Sequence, residues 1–344
     1  MINFRKVQLI CFSTLFIVQM GYAQDPRIYF GKANRNYELK EYQSAIEDYT
    51  KAIELNPNYV HAFFNRGMAK INSEDINGAI EDFSKVIELN PKSSEAYYNR
   101  GIAKDDLGNK TGAVDDFSKS IELNPKNIDA YFKRGVVKYD LGDKHGSVED
   151  NTKALELNPY FNQASCNRGI AKYDLGDKNG ALEDLSNTLE FDSKNFKAHY
   201  YFGLAKYDLG DKQEALVCFS KAIELNSQYA EAFSERGNVK YALEDKKGAV
   251  EDYSKAIELN AEVAETYFNR AVAKYDLKDI SEAIQDFTKV IELNPKDGEA
   301  YYNRGIAKYD MGDKPGACLD WAEATSLGTA QALDLLKKYC ARKE

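Results

Sequence analysis

Hydrophobic and polar positions recur along this chain with a period of 34 residues, beginning at Pro26. The segment that starts at Ala96, AYYNRGIAKDDLGNKTGAVDDFSKSIELNPK, matches the segment that starts at Ala300, AYYNRGIAKYDMGDKPGACLDWAEATSLG. A period of this length is typical of stacked helix–turn–helix units. The nine predicted units are residues 26–59, 60–93, 94–127, 128–161, 162–195, 196–229, 230–263, 264–297 and 298–331.

Small and aromatic residues occupy fixed positions within each unit, which we number from 1 to 34. Position 8 is glycine in seven units and position 20 is alanine in eight, so two helices can approach closely there. Positions 4 and 24 are mostly aromatic and fill the space around that contact. At the turn Leu141–Lys144, Gly142 suits a left-handed helix end and Asp143 suits the N-cap of the next helix. An Asn-Pro pair such as Asn90-Pro91 ends the second helix.

These residues resemble the tetratricopeptide repeat family over residues 26–331. The resemblance implies an all-α fold, a right-handed α-solenoid of tandem helix–turn–helix repeats, because one hairpin cannot bury its apolar face alone. The segment from Thr329 to Tyr339 is amphipathic, and residues 329–344 are expected to form a capping helix and tail. The chain departs from the family pattern at positions 7 and 11, where arginine and lysine replace the usual leucine and tyrosine.

Charged residues recur at positions 7 and 23, which lie equally far from the turn of each unit. Position 7 is basic in eight units and position 23 is aspartate in eight, and the sixth unit alone lacks both, with Phe202 and Cys218. We therefore expect a salt bridge between the two helices of a unit, replaced once by an apolar contact; the alternative is two independent solvated charges. The predicted pairs are Arg66–Asp82, Arg100–Asp116, Arg134–Asp150, Arg168–Asp184, Arg236–Asp252, Arg270–Asp286 and Arg304–Asp320, with Lys32 and Asp48 in the first unit.

Aromatic residues concentrate at positions 5 and 12 of the first helix. In the family that this chain resembles, positions 2, 5, 9 and 12 line a concave groove, and we call these positions the groove face. Position 13 is acidic in seven units, so the groove is expected to have an acidic rim and a neutral or basic, extended partner. The alternative is that the rings only pack the first helix of one unit against the first helix of the neighbouring unit. The predicted partner-binding residues are Phe64, Tyr98, Phe132, Tyr139, Tyr173, Tyr200, Tyr207, Tyr241, Phe268, Tyr275, Tyr302 and Tyr309.

These features favour an exported scaffold that binds a protein or peptide segment in its groove. Two alternatives are a structural assembly protein of an envelope complex, without a single groove ligand, and a groove that binds a glycan. The carboxylate clamp of related proteins grips chaperone C-termini with lysine at position 5 and asparagine at position 9. Here only Asn34 and Asn238 match at position 9, and position 5 is mostly aromatic, so that class of partner is disfavoured.

Composition and motifs argue against several other functions. The net charge of −9 disfavours nucleic-acid binding. The sequence has no phosphate-binding glycine loop, HExxH motif, CxxC pair or serine elbow. Aspartates at the turns, such as Asp140 and Asp143, lack EF-hand spacing and are explained by helix capping. The sequence therefore predicts no enzyme activity, no metal site and no cofactor.

Two cysteines near the C-terminus are placed to form a disulfide. Cys318 and Cys340 lie on opposite arms of a turn centred near Gly328, about 15 and 18 Å from it at 1.5 Å per residue. Two antiparallel helices would bring them level, and the alternative is two buried thiols. Cys166 and Cys218 fall in helices that are not expected to be neighbours, so no disulfide is predicted between them.

The N-terminal segment predicts export. Residues 1–23 combine a basic start, Arg5 and Lys6, with an apolar stretch and a small-x-small site that ends at Ala23. This is the pattern of a secretory signal peptide cleaved before Gln24; the alternative is a buried N-terminal helix. The expected location is therefore periplasmic or secreted, with no membrane span in the mature chain.

Overall fold

The computed structural model describes residues 25–340, and the regular secondary structure in this range is entirely α-helical. The predicted signal peptide at 1–23 lies outside the described residues. The helices of the described range are α1 (Pro26–Glu38), α2 (Tyr42–Leu55), α3 (Val60–Asn72), α4 (Ile76–Leu89), α5 (Ser94–Asp106), α6 (Lys110–Leu123), α7 (Ile128–Asp140), α8 (Lys144–Leu157), α9 (Asn162–Asp174), α10 (Lys178–Phe191), α11 (Phe196–Asp208), α12 (Lys212–Leu225), α13 (Ala230–Ala242), α14 (Lys246–Leu259), α15 (Ala264–Asp276), α16 (Ile280–Leu293), α17 (Gly298–Asp310), α18 (Lys314–Ser326) and α19 (Ala330–Tyr339).

The chain forms two compact units, which divide between Ala171 and Lys172. In the first unit, helices α1 to α8 pack in order, each against the one before it. In the second unit, helices α10 to α19 pack in the same consecutive way. The predicted fold class, all-α with stacked helix–turn–helix hairpins, is confirmed.

The turn inside each hairpin depends on a left-handed residue at position 15. Gly142 adopts a φ of 86°, and Glu74, which replaces glycine in the second repeat, is held at 65°. The next residue caps the start of the second helix, as at Asp143, whose carboxylate accepts a hydrogen bond from the Gly146 backbone N–H at 2.9 Å. Local chemistry thus fixes where the first helix ends and the second begins.

Close contact between paired helices depends on the small residues. A Cβ added at Gly101 would lie 2.7 Å from the ring of Phe117, and one added at Gly67 would lie 2.9 Å from the ring of Phe83. Ala113 is completely buried beside this contact. Since even a Cβ comes very close to the ring at these sites, position 8 is restricted to glycine or, at Ala33 and Ala271, alanine.

The fourth repeat buries a polar group that lacks a hydrogen-bond partner among the described residues. Ser147 and Asn151 are buried where most repeats have alanine and an aromatic ring. Asn151 Nδ2 donates to the Ser147 carbonyl at 2.9 Å, but Asn151 Oδ1 has no hydrogen-bond partner among the described residues. A buried acceptor left in this way costs about 1–3 kcal/mol, so this hairpin is locally destabilised.

Helix α19 closes the C-terminal end of the second unit. It packs against α18, and Cys318 and Cys340 form a disulfide with a Cα–Cα distance of 5.7 Å. The ring of Tyr339 stacks on Tyr309 with centroids 4.7 Å apart. The last helical pair therefore carries an apolar cover that is fixed covalently.

Candidate functional site

The recurring charges form buried ion pairs inside the hairpins. Arg66 donates to both carboxylate oxygens of Asp82, at 2.9 Å from Nε and 2.6 Å from Nη2, and Lys70 Nζ lies 3.0 Å from the same carboxylate. The Asp82 side chain is only 3% exposed, so these are not solvated surface charges. The same arginine–aspartate geometry is found at Arg100–Asp116, Arg134–Asp150, Arg236–Asp252, Arg270–Asp286 and Arg304–Asp320, and Lys32 contacts Asp48 in the first repeat.

Two predicted partners, Arg168 and Asp184, lie on opposite sides of the division between the compact units. Arg168 Nη1 donates to Thr152 Oγ1 at 3.2 Å in the first unit. Asp184 lies 2.8 Å from Lys172 Nζ in the second unit. Within the first compact unit, Arg168 therefore makes the contact to the preceding repeat that is typical of position 7. Within the second compact unit, Asp184 makes the contact to lysine that is typical of position 23.

Each arginine also reaches the preceding repeat, a contact that the sequence reasoning missed. Arg100 Nη1 donates to Ser84 Oγ at 3.0 Å, and Arg270 Nη1 donates to Ser254 Oγ at 3.0 Å. The available signal was serine or threonine at position 25 in eight of the nine units. Because one guanidinium joins its own hairpin to the preceding one, position 7 supports stacking rather than ligand binding.

The sixth repeat replaces this ion pair by uncharged residues. Cys218 is 7% exposed, and burial raises the pKa of its thiol to about 11, so it stays neutral near pH 7. Lys206, which would otherwise face an aspartate, binds Glu214 at 2.6 Å and lies over the Phe202 ring at 5.5 Å. The sixth repeat therefore keeps its lysine paired through a different acid.

The predicted groove residues all lie on the first helix of their repeats. Eleven of them are half-buried, and Tyr200 is buried, with only 9% of its surface exposed. Helix by helix, they are Phe64 on α3, Tyr98 on α5, Phe132 and Tyr139 on α7, Tyr173 on α9, Tyr200 and Tyr207 on α11, Tyr241 on α13, Phe268 and Tyr275 on α15, and Tyr302 and Tyr309 on α17.

The aromatic rings at position 5 mainly pack within the repeat. Phe268 meets Phe287 with ring centroids 5.5 Å apart. Tyr200 meets Phe219 at 5.7 Å and Tyr229 at 4.9 Å. The alternative drawn from the sequence was packing between the first helices of neighbouring repeats, whereas these rings contact residues of their own repeat. Tyr200 is therefore a core residue that offers a ligand little surface.

The tyrosines at position 12 connect neighbouring repeats. Tyr241 Oη donates to Asp276 Oδ2 at 2.8 Å, and Lys246 Nζ lies 3.0 Å from the same carboxylate. Tyr173 Oη likewise donates to Asp208 Oδ2 at 3.1 Å. Of the acidic residues expected to form a rim, Asp276 and Asp208 are thus each bound by a lysine and by a tyrosine hydroxyl. Their contribution to a partner is correspondingly smaller than the sequence suggested.

Tyr207 differs from these tyrosines because Ala242 stands in place of the aspartate in the next repeat. Its ring lines an open depression of about 310 Å³, together with Asn238 and Tyr241. At the base of the depression, Asn238 Oδ1 accepts hydrogen bonds from Tyr253 Oη at 2.8 Å and from Asn269 Nδ2 at 3.1 Å. This arrangement fixes the Asn238 amide on the groove face.

The first unit contains an equivalent depression of about 230 Å³. Asn34 Oδ1 accepts hydrogen bonds from Tyr49 Oη at 2.7 Å and from Asn65 Nδ2 at 3.0 Å. Burial raises the pKa of Tyr49 to about 12, so its hydroxyl is protonated and donates at neutral pH. Asparagine at position 9 thus coincides with tyrosine at position 24, a pairing visible in the sequence that the sequence reasoning did not use.

Neither depression contains the cation of a carboxylate clamp. Position 5 is Phe30 in the first repeat and Ser234 in the seventh, where the clamp requires lysine. Residues 25–340 contain no group of three or more His, Cys, Asp or Glu side chains that could hold a metal ion. No helix in the described part of the chain combines the length and the apolar composition needed to cross a membrane.

Comparison with protein families gives matches along much of the chain. Models described as tetratricopeptide repeat match residues 60–93, 94–127, 128–161 and 264–297. A model described as TPR repeat matches residues 33–72, 203–244 and 237–278. No curated protein matches the chain.

Solved structures share the fold at low sequence identity. The APC/C hetero-tetramer Cut9-Hcn1 is 14% identical with a TM-score of 0.56, over 92% of this chain and 76% of that one. A tetratricopeptide repeat protein from Parabacteroides merdae is 21% identical with a TM-score of 0.52, over 72% of this chain and 99% of its own. The pilF protein of Pseudomonas aeruginosa is 19% identical with a TM-score of 0.53, over 59% and 92%. At these identities the likeness concerns the fold alone.

Proposed function

The chain belongs to the tetratricopeptide repeat family, whose fold supports protein interaction. We propose that it is an exported scaffold that binds an extended protein segment on its groove face. The observation that carries this proposal is the depression lined by Tyr207, Asn238 and Tyr241. The Asn238 amide is held by three hydrogen bonds, two accepted by its oxygen and one donated to Glu235, so little ordering is needed when a peptide backbone binds. The half-buried tyrosines beside it offer apolar area to the side chains of the segment.

The expected segment is neutral or basic, because the chain carries a net charge of −9. Export is proposed from the leader-like composition of residues 1–23. Mass spectrometry of the N-terminus of the native protein tests export: a mature chain that begins at Gln24 supports it, and retention of residues 1–23 contradicts it.

The groove is tested with linear peptides selected from a displayed library on residues 24–344, with affinities measured by fluorescence anisotropy. Asn238→Ala is expected to lower the affinity for the selected peptides about fivefold, since one net hydrogen bond contributes about 1 kcal/mol. Tyr207→Ala removes the ring that lines the same depression and is expected to lower the affinity for these peptides further. Gln285→Ala, an exposed change on the second helix of the eighth repeat, is the control and is expected to have no effect.

Circular dichroism of each variant separates lost binding from lost structure. Selected peptides that bind both groove variants with unchanged affinity would show that they use another surface. The proposal of a groove-bound segment would then be wrong.

A further inference from the structure

The seventh repeat lacks an aromatic side chain at a place where most repeats have one. Position 5 is aromatic in seven of the nine repeats, but it is Ser234 here. In the sixth repeat the equivalent ring, Tyr200, contacts Tyr229 at position 34. The seventh repeat has Val263 at position 34, so both rings of that contact are missing. A cavity of about 140 Å³ remains between α13, α14 and α15, and we call it the Ser234 cavity.

The walls of the Ser234 cavity are apolar in one part and acidic in another, and the neutral polar residues Ser234, Asn260 and Thr266 complete the lining. Tyr200, Ala230, Ala256 and Val263 supply the apolar surface. The acidic side chains that line it are Glu231, Glu235 and Glu265, and no lysine or arginine lines it. The cavity therefore combines a slot for hydrocarbon with an uncompensated negative charge.

Glu235 is the most enclosed of these acids. Its Oε2 accepts one hydrogen bond from Asn238 Nδ2 at 3.0 Å, which is a neutral donor. Burial raises the pKa of Glu235, and the nearby Glu265 and Asp208 act in the same direction. A carboxylate removed from water without a cationic partner interacts strongly with any cation that reaches it.

The volume of the cavity restricts its occupant to one side chain. It is well below the roughly 300 Å³ at which pockets hold a drug-sized ligand. Lysine and arginine combine an apolar stem with a cationic end, and they bury the stem while the charge reaches a polar partner. The three glutamates are not among groups that could hold a metal ion in residues 25–340, so the cavity suits an organic cation.

We propose that the Ser234 cavity receives a lysine or arginine side chain from the segment bound on the groove face, with the stem against Val263 and the cationic end at Glu235. This proposal rests on the proposed function, since it assigns a specificity pocket to the same groove. Asn238 connects the two sites, because it lines the groove depression and donates to Glu235.

The test uses acetylated and amidated pentapeptides Gly-Ala-X-Ala-Gly, where X is lysine, arginine, norleucine or glutamine. Methyl NMR of Ala230, Ala256 and Val263 reports binding at the cavity itself. We expect the lysine and arginine peptides to shift these signals with dissociation constants at least tenfold lower than those of the norleucine and glutamine peptides. Equal affinity for lysine and norleucine would overturn the proposal, as would shifts caused by Ca²⁺ but not by the lysine peptide.

Matched variants separate charge from shape. Glu235→Gln keeps the size of the side chain and is expected to abolish the tenfold preference for lysine. Ser234→Phe restores the usual aromatic residue and is expected to abolish binding of every peptide, and Val263→Tyr fills the cavity from its other wall if Ser234→Phe does not fold. Glu299→Gln, at the equivalent of Glu265 in the ninth repeat, is expected to change nothing.

The outcomes distinguish this proposal from the groove proposal. A lysine preference that survives Glu235→Gln, or shifts that survive both filling variants, would show that the cavity is not the site. If the cavity is excluded in this way, the groove proposal still stands provided that the selected peptides lose affinity in Asn238→Ala and Tyr207→Ala. Lysine binding at the cavity together with unchanged affinity in the groove variants would support the pocket and contradict the groove.

Discussion

Replacing Asp286 tests whether the buried charges hold the paired helices together. Asp286 on α16 accepts hydrogen bonds from Arg270 Nε at 2.8 Å and Nη2 at 2.7 Å, and Lys274 Nζ lies 2.9 Å away. The side chains of Asp286, Arg270 and Lys274 are 7%, 16% and 11% exposed. Asp286→Ala would leave the largely buried Arg270 without its carboxylate, while Lys274 beside it keeps only Glu282, 3.3 Å away.

The expected loss is about 3 kcal/mol in the free energy of unfolding. Breaking a buried ion pair by removing one partner costs about 3–5 kcal/mol, and the residual exposure of both cations places this case at the lower end. The chain itself supplies the control, because the sixth repeat has Phe202 and Cys218 at the two positions. Replacing the whole pair by apolar residues is often neutral, so Arg270→Phe with Asp286→Cys is expected to lose less than about 1 kcal/mol.

The eighth repeat suits this double replacement because it already contains a second acidic partner for the lysine, as the sixth repeat does. Lys274 lies 3.3 Å from Glu282, as Lys206 lies 2.6 Å from Glu214 in the sixth repeat. The lysine therefore keeps a partner when Asp286 is replaced together with Arg270.

Urea denaturation followed by circular dichroism measures the overall effect. Urea is preferable to guanidinium chloride, which is a salt and screens charges. Hydrogen exchange of the amides in α15 and α16 adds a local measurement, because stacked repeats need not unfold in one step. Equal losses for the single and double variants, or a loss below about 0.5 kcal/mol for Asp286→Ala, would refute the buried-pair interpretation and favour solvated charges.

Three further changes have defined expectations. Replacing both Cys318 and Cys340 by alanine opens a loop with a sequence separation of 22. In the chain-entropy model this destabilises the C-terminal cap by about 3.4 kcal/mol, and we expect faster hydrogen exchange of the amides in α18 and α19. Unchanged protection of these amides would contradict this. Glu74→Gly removes a non-glycine residue from left-handed backbone and is expected to raise stability by about 1 kcal/mol in urea, whereas Gly142→Ala should lower it by a similar amount. Because the raised pKa of Glu235 means that ionisation destabilises the folded chain, stability falls as pH rises through that pKa. Glu235→Gln should therefore be more stable than the native chain near pH ~7 and equal to it near pH ~3, and a difference independent of pH would argue against this cause.

Much of the fold could be predicted because the chain contains several copies of one unit. Comparison of those copies separates positions that every hairpin needs from positions that vary. Glycine at position 15 and aspartate at position 16 mark the turn, as found at Gly142 and Asp143. The joint absence of arginine and aspartate from the sixth repeat pointed to their contact in the others, which the structure shows at Arg66 and Asp82.

The groove was harder to predict because a ring at helical spacing can face a ligand or a neighbouring helix. Residue spacing gives the face of the helix but not the rotamer or the contact across repeats. Tyr241 illustrates this: its ring lines the groove depression while its hydroxyl is bound to Asp276. The Ser234 cavity also depends on two residues 29 positions apart, Ser234 and Val263, whose combined effect is visible only when both are packed against their neighbours.

The same comparison of repeats indicates where function is concentrated. A residue shared by most repeats, such as Arg270, is explained by stacking, because it contacts both its own hairpin and the preceding one. Some residues that depart from the repeat instead leave open space, unlike the buried departures Cys218 and Asn151. Ala242 and Ser234 are departures of this kind in the seventh repeat: Ala242 lines the depression at Asn238, and Ser234 lines the Ser234 cavity at Glu235. The hydrogen bond from Asn238 to Glu235 joins the two. Regular positions thus build the stack, and the irregular residues Ala242 and Ser234 line the openings to which partner binding is proposed.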